Sequence, residues 1–175
     1  MQLNPAKWQL KHSQLLAIAG AVWLCIGAFL LNLGINFIMH GWTFVGFSSE
    51  GYSSLFPQLS TVIGDNANTC TTLIALGMVL GYVKGNFVMK KAAQGTFARI
   101  SALPNPAPLS KLYTKANYIL IAGMMGLGLL MRLFEISYDI RGFIDTAVGI
   151  ALIQGAVHQF RFAWAAHKKA TFQKI

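Results

Sequence analysis

Polar side chains follow one face of the last apolar stretch of the chain. Gln154, His158 and Arg161 are spaced four and three residues apart, so a helix would bring them to the same side. Lys84 lies in an earlier apolar stretch, at a similar distance from the end of its segment. Charges within membrane spans usually face the bundle interior or water. The four residues are therefore candidate ligands of an anion, an acidic lipid headgroup or a proton in a cationic cavity.

The alternative for the two long cations is that they line no cavity. Lys84 and Arg161 lie close to the ends of their apolar stretches, and such side chains can extend to the headgroup level. Gln154 lies deeper and is too short to do so. We therefore expect Gln154 to hydrogen-bond to a neighbouring helix.

A second polar group lies at the opposite ends of the apolar stretches. Arg132 and Glu135 are three residues apart and could form an ion pair on one helix. Asp145 follows them, and Asn32 has a similar depth in the first stretch. Two interpretations remain open for this outer polar cluster: a vestibule for a cation, or an ion-paired connection between helices.

Glycines recur at helical spacing. Gly20, Gly27 and Gly34 are seven residues apart, and Gly77 and Gly81 form a GxxxG pair. Small residues allow helix backbones to approach closely in a membrane, where lipid supplies no hydrophobic drive for association. These glycines predict close helix packing, either within one bundle or between protomers.

The sequence shows no pattern typical of a disulfide, a metal or haem site, or a catalytic motif. Cys25 and Cys70 are isolated, without CxxC or Cys/His spacing, so we expect them to act as small apolar residues. The four histidines lie at different depths and do not match a metal or haem site. No nucleophile elbow, catalytic triad or phosphate loop is present. We predict no metal and no cofactor, and nominate no catalytic residue.

The composition points to a membrane environment. Of the 175 residues, 55% are hydrophobic and 11% charged, whereas soluble domains have about 25% charged residues. About 20 apolar residues cross a bilayer as a helix. The first apolar run is too long for a cleaved signal peptide and predicts a retained helix. Four spans are predicted: 14–39, 66–89, 117–136 and 142–166.

Charge predicts the orientation of these spans. The five acidic residues fall in or beside segments 41–65 and 134–145, while all basic residues except Arg132 and Arg141 lie elsewhere. Because cytoplasmic loops carry an excess of Lys and Arg, both termini are predicted to be cytoplasmic. Segment 40–65 is then an external loop with a short helix near 53–63, and segment 90–116 a basic cytoplasmic loop.

A weak internal repeat relates the second and fourth spans. With an offset of 74 residues, Thr72 and Gly81 align with Thr146 and Gly155. Two tandem helical hairpins in the same orientation would give this pattern. Short apolar helices also match by chance, so both interpretations stay open.

The sequence therefore predicts an all-α, multi-pass cell-membrane protein: one domain, 1–175, with four transmembrane helices in a bundle. Its expected partners are membrane lipids, with anionic headgroups on the cytoplasmic face, and either further copies of itself or a membrane complex. Nucleic acid is not expected, since the basic residues flank apolar spans. Three functions remain open: an oligomeric transport or channel protein for a small ion or anionic solute, a non-catalytic subunit or assembly factor, and an enzyme acting on a lipid-soluble substrate.

Overall fold

The computed structural model describes residues 9–44, 55–104, 106–108, 122–123, 126–131, 133–134 and 136–172, and this part of the chain is almost entirely helical. The helices are α1 (His12–Phe44), α2 (Leu55–Ile63), α3 (Asn66–Lys84), α4 (Lys90–Ser101) and α5 (Tyr138–Phe172). Two-residue strands, β1 (Gln9–Leu10) and β2 (Ala107–Pro108), pair antiparallel. Most of the predicted third span, 117–136, lies outside the described residues.

Three helical stretches are long and apolar enough to cross a membrane: His12–Met39, Asn66–Ser101 and Tyr138–Lys168. The middle stretch has 36 residues, about 54 Å at 1.5 Å per residue, against a hydrocarbon core of about 30 Å. Its last 12 residues, Lys90–Ser101, are ones for which the sequence predicts a basic loop. The helix continues there because Ala93 and Ile100 bury an apolar stripe that Lys90 and Lys91 do not interrupt.

α1 and α5 run antiparallel and touch backbone to backbone. A Cβ added at Gly27 would lie 3.0 Å from the backbone nitrogen of Ile153, and one added at Gly34 would lie 2.6 Å from that of Thr146. α5 contributes glycines with the same seven-residue spacing, Gly142 and Gly149. Matching heptad glycines on both helices therefore allow the two backbones to come into direct contact.

α3 runs parallel to α5 on another side of it. Gly77 faces Phe143 and Thr146, while Gly85 faces Ala151 and Gln154 further along. A Cβ at Gly81 would overlap the carbonyl oxygen of Ala147. α5 is thus the central helix, with glycine seams to both α1 and α3.

A π turn, Gly85–Met89, joins α3 and α4 without breaking the helix. The face toward α5 carries small or buried residues at four-residue steps, namely Gly77, Gly81, Gly85, Met89 and Ala93. A regular α-helix rotates about 40° past a full turn in four residues, so this series would drift away from α5. The wider π turn offsets part of that drift.

Two apolar clusters close the ends of the bundle. At one end, Leu15 and Leu16 of α1 pack with Ile100 and Ala163. At the other end, Ile38, Phe56 and Leu73 pack together. Gly64 has φ 82° and turns the chain from α2 into α3, which Asp65 caps through the amide of Ala67. The short helix predicted near 53–63 is therefore present as α2, lying across the second end.

Candidate functional site

We call the end of the bundle that carries Leu15 and Ile100 the inner end. Its cationic residues lie where α4 is beside α5. His158 is partly buried, and its Nε2 atom has no hydrogen-bond partner among the described residues. A Cβ added at Gly155, one turn before His158, would lie 3.3 Å from Cβ of Met89, the residue that precedes Lys90. Phe97 and Phe162 stack with ring centroids 5.1 Å apart and hold the two helices together nearby. We call Lys90, His158 and Arg161 the inner cationic cluster.

Lys84 does not belong to this cluster. Its side chain is exposed, and it lies six residues before Lys90, ahead of the π turn Gly85–Met89. The neighbouring Gly85 instead faces α5, where an added Cβ would lie 3.0 Å from Cβ of Gln154. The structure thus brings His158 and Arg161 together with Lys90, while Gln154 lies one turn away in a tightly packed seam.

Two buried polar side chains on α5 were not selected from the sequence. Thr146 is fully buried between α1 and α3, and Gln159 is 3% exposed beside Gly20. Thr146 Oγ1 and Gln159 Oε1 have no hydrogen-bond partner within the described part of the chain. Buried polar groups are normally satisfied, so both atoms are exceptions, and Thr146 Oγ1 lies in the closely packed seam against Gly34. Gln159 adjoins His158, and only the pattern of neighbouring polar residues on α5 could have indicated it.

The outer polar cluster is only partly described. Asn32 is exposed and accepts a 2.6 Å hydrogen bond at Oδ1 from Asn36 of its own helix. Asp145 is partly buried, and the charge of Arg141 acts on it. The guanidinium of Arg141 lies 4.6 Å from the ring centroid of Phe37, a cation–π contact. Arg132 and Glu135 lie outside the described residues.

Asp139 joins two helices through a buried hydrogen bond. It is 3% exposed, and its Oδ2 accepts a 2.7 Å hydrogen bond from the backbone N–H of Phe56 in the first turn of α2. Its Oδ1 accepts from the backbone N–H of Ile140. Asp139 therefore fastens α2 to the start of α5.

Asp139→Ala should release α2, because the buried amide of Phe56 then loses its acceptor, at a cost of about 1–3 kcal/mol. Hydrogen exchange of the α2 amides should become faster than in the unmodified protein. Asp139→Asn keeps a side-chain acceptor and should have a smaller effect. Unchanged exchange in Asp139→Ala would mean that apolar packing of Phe56 alone holds α2.

An open groove of about 450 Å³ runs along α3 near the outer end, between Ile63 and Val79. The hydroxyls of Thr71 and Thr72 line it but donate to carbonyls of their own helix, at 2.9 and 2.7 Å. The groove therefore offers mainly apolar walls and carries no evident polar recognition.

Comparison with protein-family models, curated proteins and solved structures gave no match. The function must therefore be argued from the arrangement of this chain's own residues.

Proposed function

We propose that this protein is a non-catalytic helical subunit of a membrane assembly, which acts by packing against other proteins in the bilayer. The observation that carries the proposal is that the helices pack closely around the polar residue Gln154. Gln154, the residue best placed to line a path, meets Gly85 in a seam with no room for a Cβ. The polar residues are thus divided between a tightly packed interior and an exposed inner edge.

The outward faces suit such a role. Leu76, Val79, Leu80 and Val83 of α3 are about half exposed, and they form one continuous apolar surface. Faces of this kind contact lipid or another membrane protein. The glycine positions, by contrast, are used within the chain, so association with other proteins would depend on the larger apolar side chains.

We further propose four crossings with both termini cytoplasmic. α3 and α5 are parallel, so the chain between Ser101 and Tyr138 has to return to the other end of the bundle. The apolar segment 117–136 is long enough to make that crossing. The described ends also differ in charge: Lys11, Lys90 and Lys168 lie at the inner end, while Asp65 and Asp139 lie at the outer end.

Parallel α3 and α5 also support the tandem-hairpin interpretation of the internal repeat. Two hairpins in the same orientation would make their second helices parallel, whereas an inverted repeat would make them antiparallel. The aligned residues Thr72 and Thr146 both lie in the outer halves of their helices.

Transport of a small ion or anionic solute is the second candidate. It is favoured by the buried atoms on α5 that lack partners among the described residues, namely those of Thr146, His158 and Gln159. Intramembrane polar groups often mark ion or proton paths. On this proposal the protein would conduct without any partner, which separates the two candidates.

A photo-cross-linking residue at Val79 should give one adduct of defined mass with a second protein in the native membrane, since Val79 is 59% exposed on the apolar face of α3. The matched control is the same residue at Gln94, an exposed polar position on α4, beyond the apolar surface of α3. Purified protein in liposomes should pass neither anions nor cations above empty liposomes. Flux by the purified protein, together with only lipid adducts at Val79, would favour transport instead.

A further inference from the structure

The inner cationic cluster lacks an internal counter-ion. The sequence has no Asp or Glu before Glu50, between Asp65 and Glu135, or after Asp145. α4 and the inner half of α5 therefore contain no carboxylate side chain to neutralise Lys90 and Arg161. The carboxylates of the described residues lie at the other end of the bundle, beyond the screening length of about 8 Å.

The surroundings of the cluster are amphipathic. Toward the membrane centre, Val83 and Phe87 are exposed apolar side chains, with Phe87 74% exposed. Trp164 is 77% exposed one turn beyond Arg161, and tryptophan favours the headgroup level of a bilayer. Lys168 follows Trp164 by four residues on the same face of α5 and is also exposed. The cluster therefore lies between an apolar surface and an aromatic, basic one.

We propose that Lys90 and Arg161 bind the phosphate group of an acidic phospholipid from the inner leaflet. The acyl chains then lie along Val83 and Phe87, and Trp164 lies beside the headgroup. The lipid supplies the negative charge that the chain lacks at this end, and its phosphate oxygens can accept hydrogen bonds from the exposed side chains of Lys90 and Arg161. Both helices contribute ligands, so the lipid bridges α4 and α5 next to the Phe97–Phe162 stack.

This proposal depends on membrane embedding and not on the subunit role. The lipid test below uses purified protein, so it can fail while the Val79 adduct remains, and the reverse also holds.

The test is native mass spectrometry of the full-length protein in mild detergent, titrated with phosphatidylglycerol or phosphatidylcholine. Phosphatidylglycerol should bind several-fold more tightly. Lys90→Gln and Arg161→Gln should each weaken the binding of phosphatidylglycerol by about fivefold, and the double variant by roughly thirtyfold. The reason is that each cation near the surface contributes about 1 kcal/mol. Phosphatidylcholine binding should not change. Lys90 and Arg161 are exposed, so neither change disturbs the core.

Lys84→Gln is the matched control, because it removes the same charge from the same continuous helix outside the cluster. It should leave phosphatidylglycerol affinity within about twofold of the unmodified protein. An equal loss of phosphatidylglycerol affinity in Lys84→Gln would mean that the lipid responds to the overall positive charge and not to a defined site. That result would overturn the proposal. Equal affinity of the two lipids for the unmodified protein would also overturn it.

Inorganic phosphate distinguishes the two sources of the anion. If it binds the unmodified protein and is lost in Lys90→Gln and Arg161→Gln while phosphatidylglycerol affinity is unchanged, the cluster takes a soluble anion and the lipid assignment fails. Loss of phosphatidylglycerol affinity in the same variants, with no binding of phosphate at millimolar concentration, supports the assignment of the site to a lipid.

Discussion

In a Cys25→Ala, Cys70→Ala background, a cysteine at Thr61 should react with a membrane-impermeant maleimide in intact cells, and a cysteine at Ser101 should not. Thr61 is exposed on α2 at the acidic end of the bundle, and Ser101 is exposed at the end of α4 beside the basic residues. Because basic residues stay cytoplasmic, the two positions should lie on opposite sides of the membrane. The expected difference is all or none.

Permeabilised cells provide the control, since both cysteines should then react to the same extent. Exposure of both positions removes burial as a reason for weak labelling. Labelling of Ser101→Cys, but not of Thr61→Cys, in intact cells would reverse the proposed orientation. Labelling of both would place the ends of the 36-residue helix on the same side and exclude a crossing.

Gly81→Ala should lower the melting temperature in detergent, although alanine is the better helix former. The added methyl group would overlap the carbonyl oxygen of Ala147 and come within 2.9 Å of Cβ of Ile150. Overpacking of this kind costs about 1–3 kcal/mol, which corresponds to a decrease of roughly 3–9 °C. Gly34→Ala should behave in the same way at the seam with α1.

Gly95→Ala is the matched control in the same continuous helix, because nothing lies within 4 Å of its added Cβ. Here the higher helix propensity of alanine should dominate, giving a stabilisation of up to about 1 kcal/mol. The opposite signs separate packing from propensity. If Gly81→Ala instead left the melting temperature unchanged and altered the oligomeric state, the seam would be a contact between protomers and the described α3–α5 packing would be wrong.

The parts of the fold that follow from local chemistry could be predicted from the sequence. Hydropathy locates three long apolar helices, and Asp65, Asn66 and Asn68 are candidate N-caps from their residue types, of which Asp65 caps α3. The inner end of the second helix was not predictable in this way. Hydropathy falls at Lys90 and Lys91, but the helix continues to Ser101 because its burial there depends on contacts with α5 that a local window does not contain.

The site illustrates the same limit. The face shared by Gln154, His158 and Arg161 follows from spacing on one helix. Which lysine of another helix approaches them depends on how the two helices are packed and on the phase of each. Counting turns from Gly81 selects Lys84, but the packing of Met89 against Gly155 also brings the neighbouring Lys90 to this part of α5. The π turn Gly85–Met89 lies between the two lysines and changes the direction in which later residues project.

That π turn also divides the long helix into two parts that differ in how they are held. The outer part is fixed by glycines that admit no side chain, so its angular position on α5 tolerates little variation. The part Lys90–Ser101 is held by side chains instead, through the buried Ala93 and Ile100. Substitutions at its exposed positions can therefore change its charge without disturbing the glycine seam. The long helix thus combines a closely packed outer part with a basic part whose exposed positions tolerate substitution.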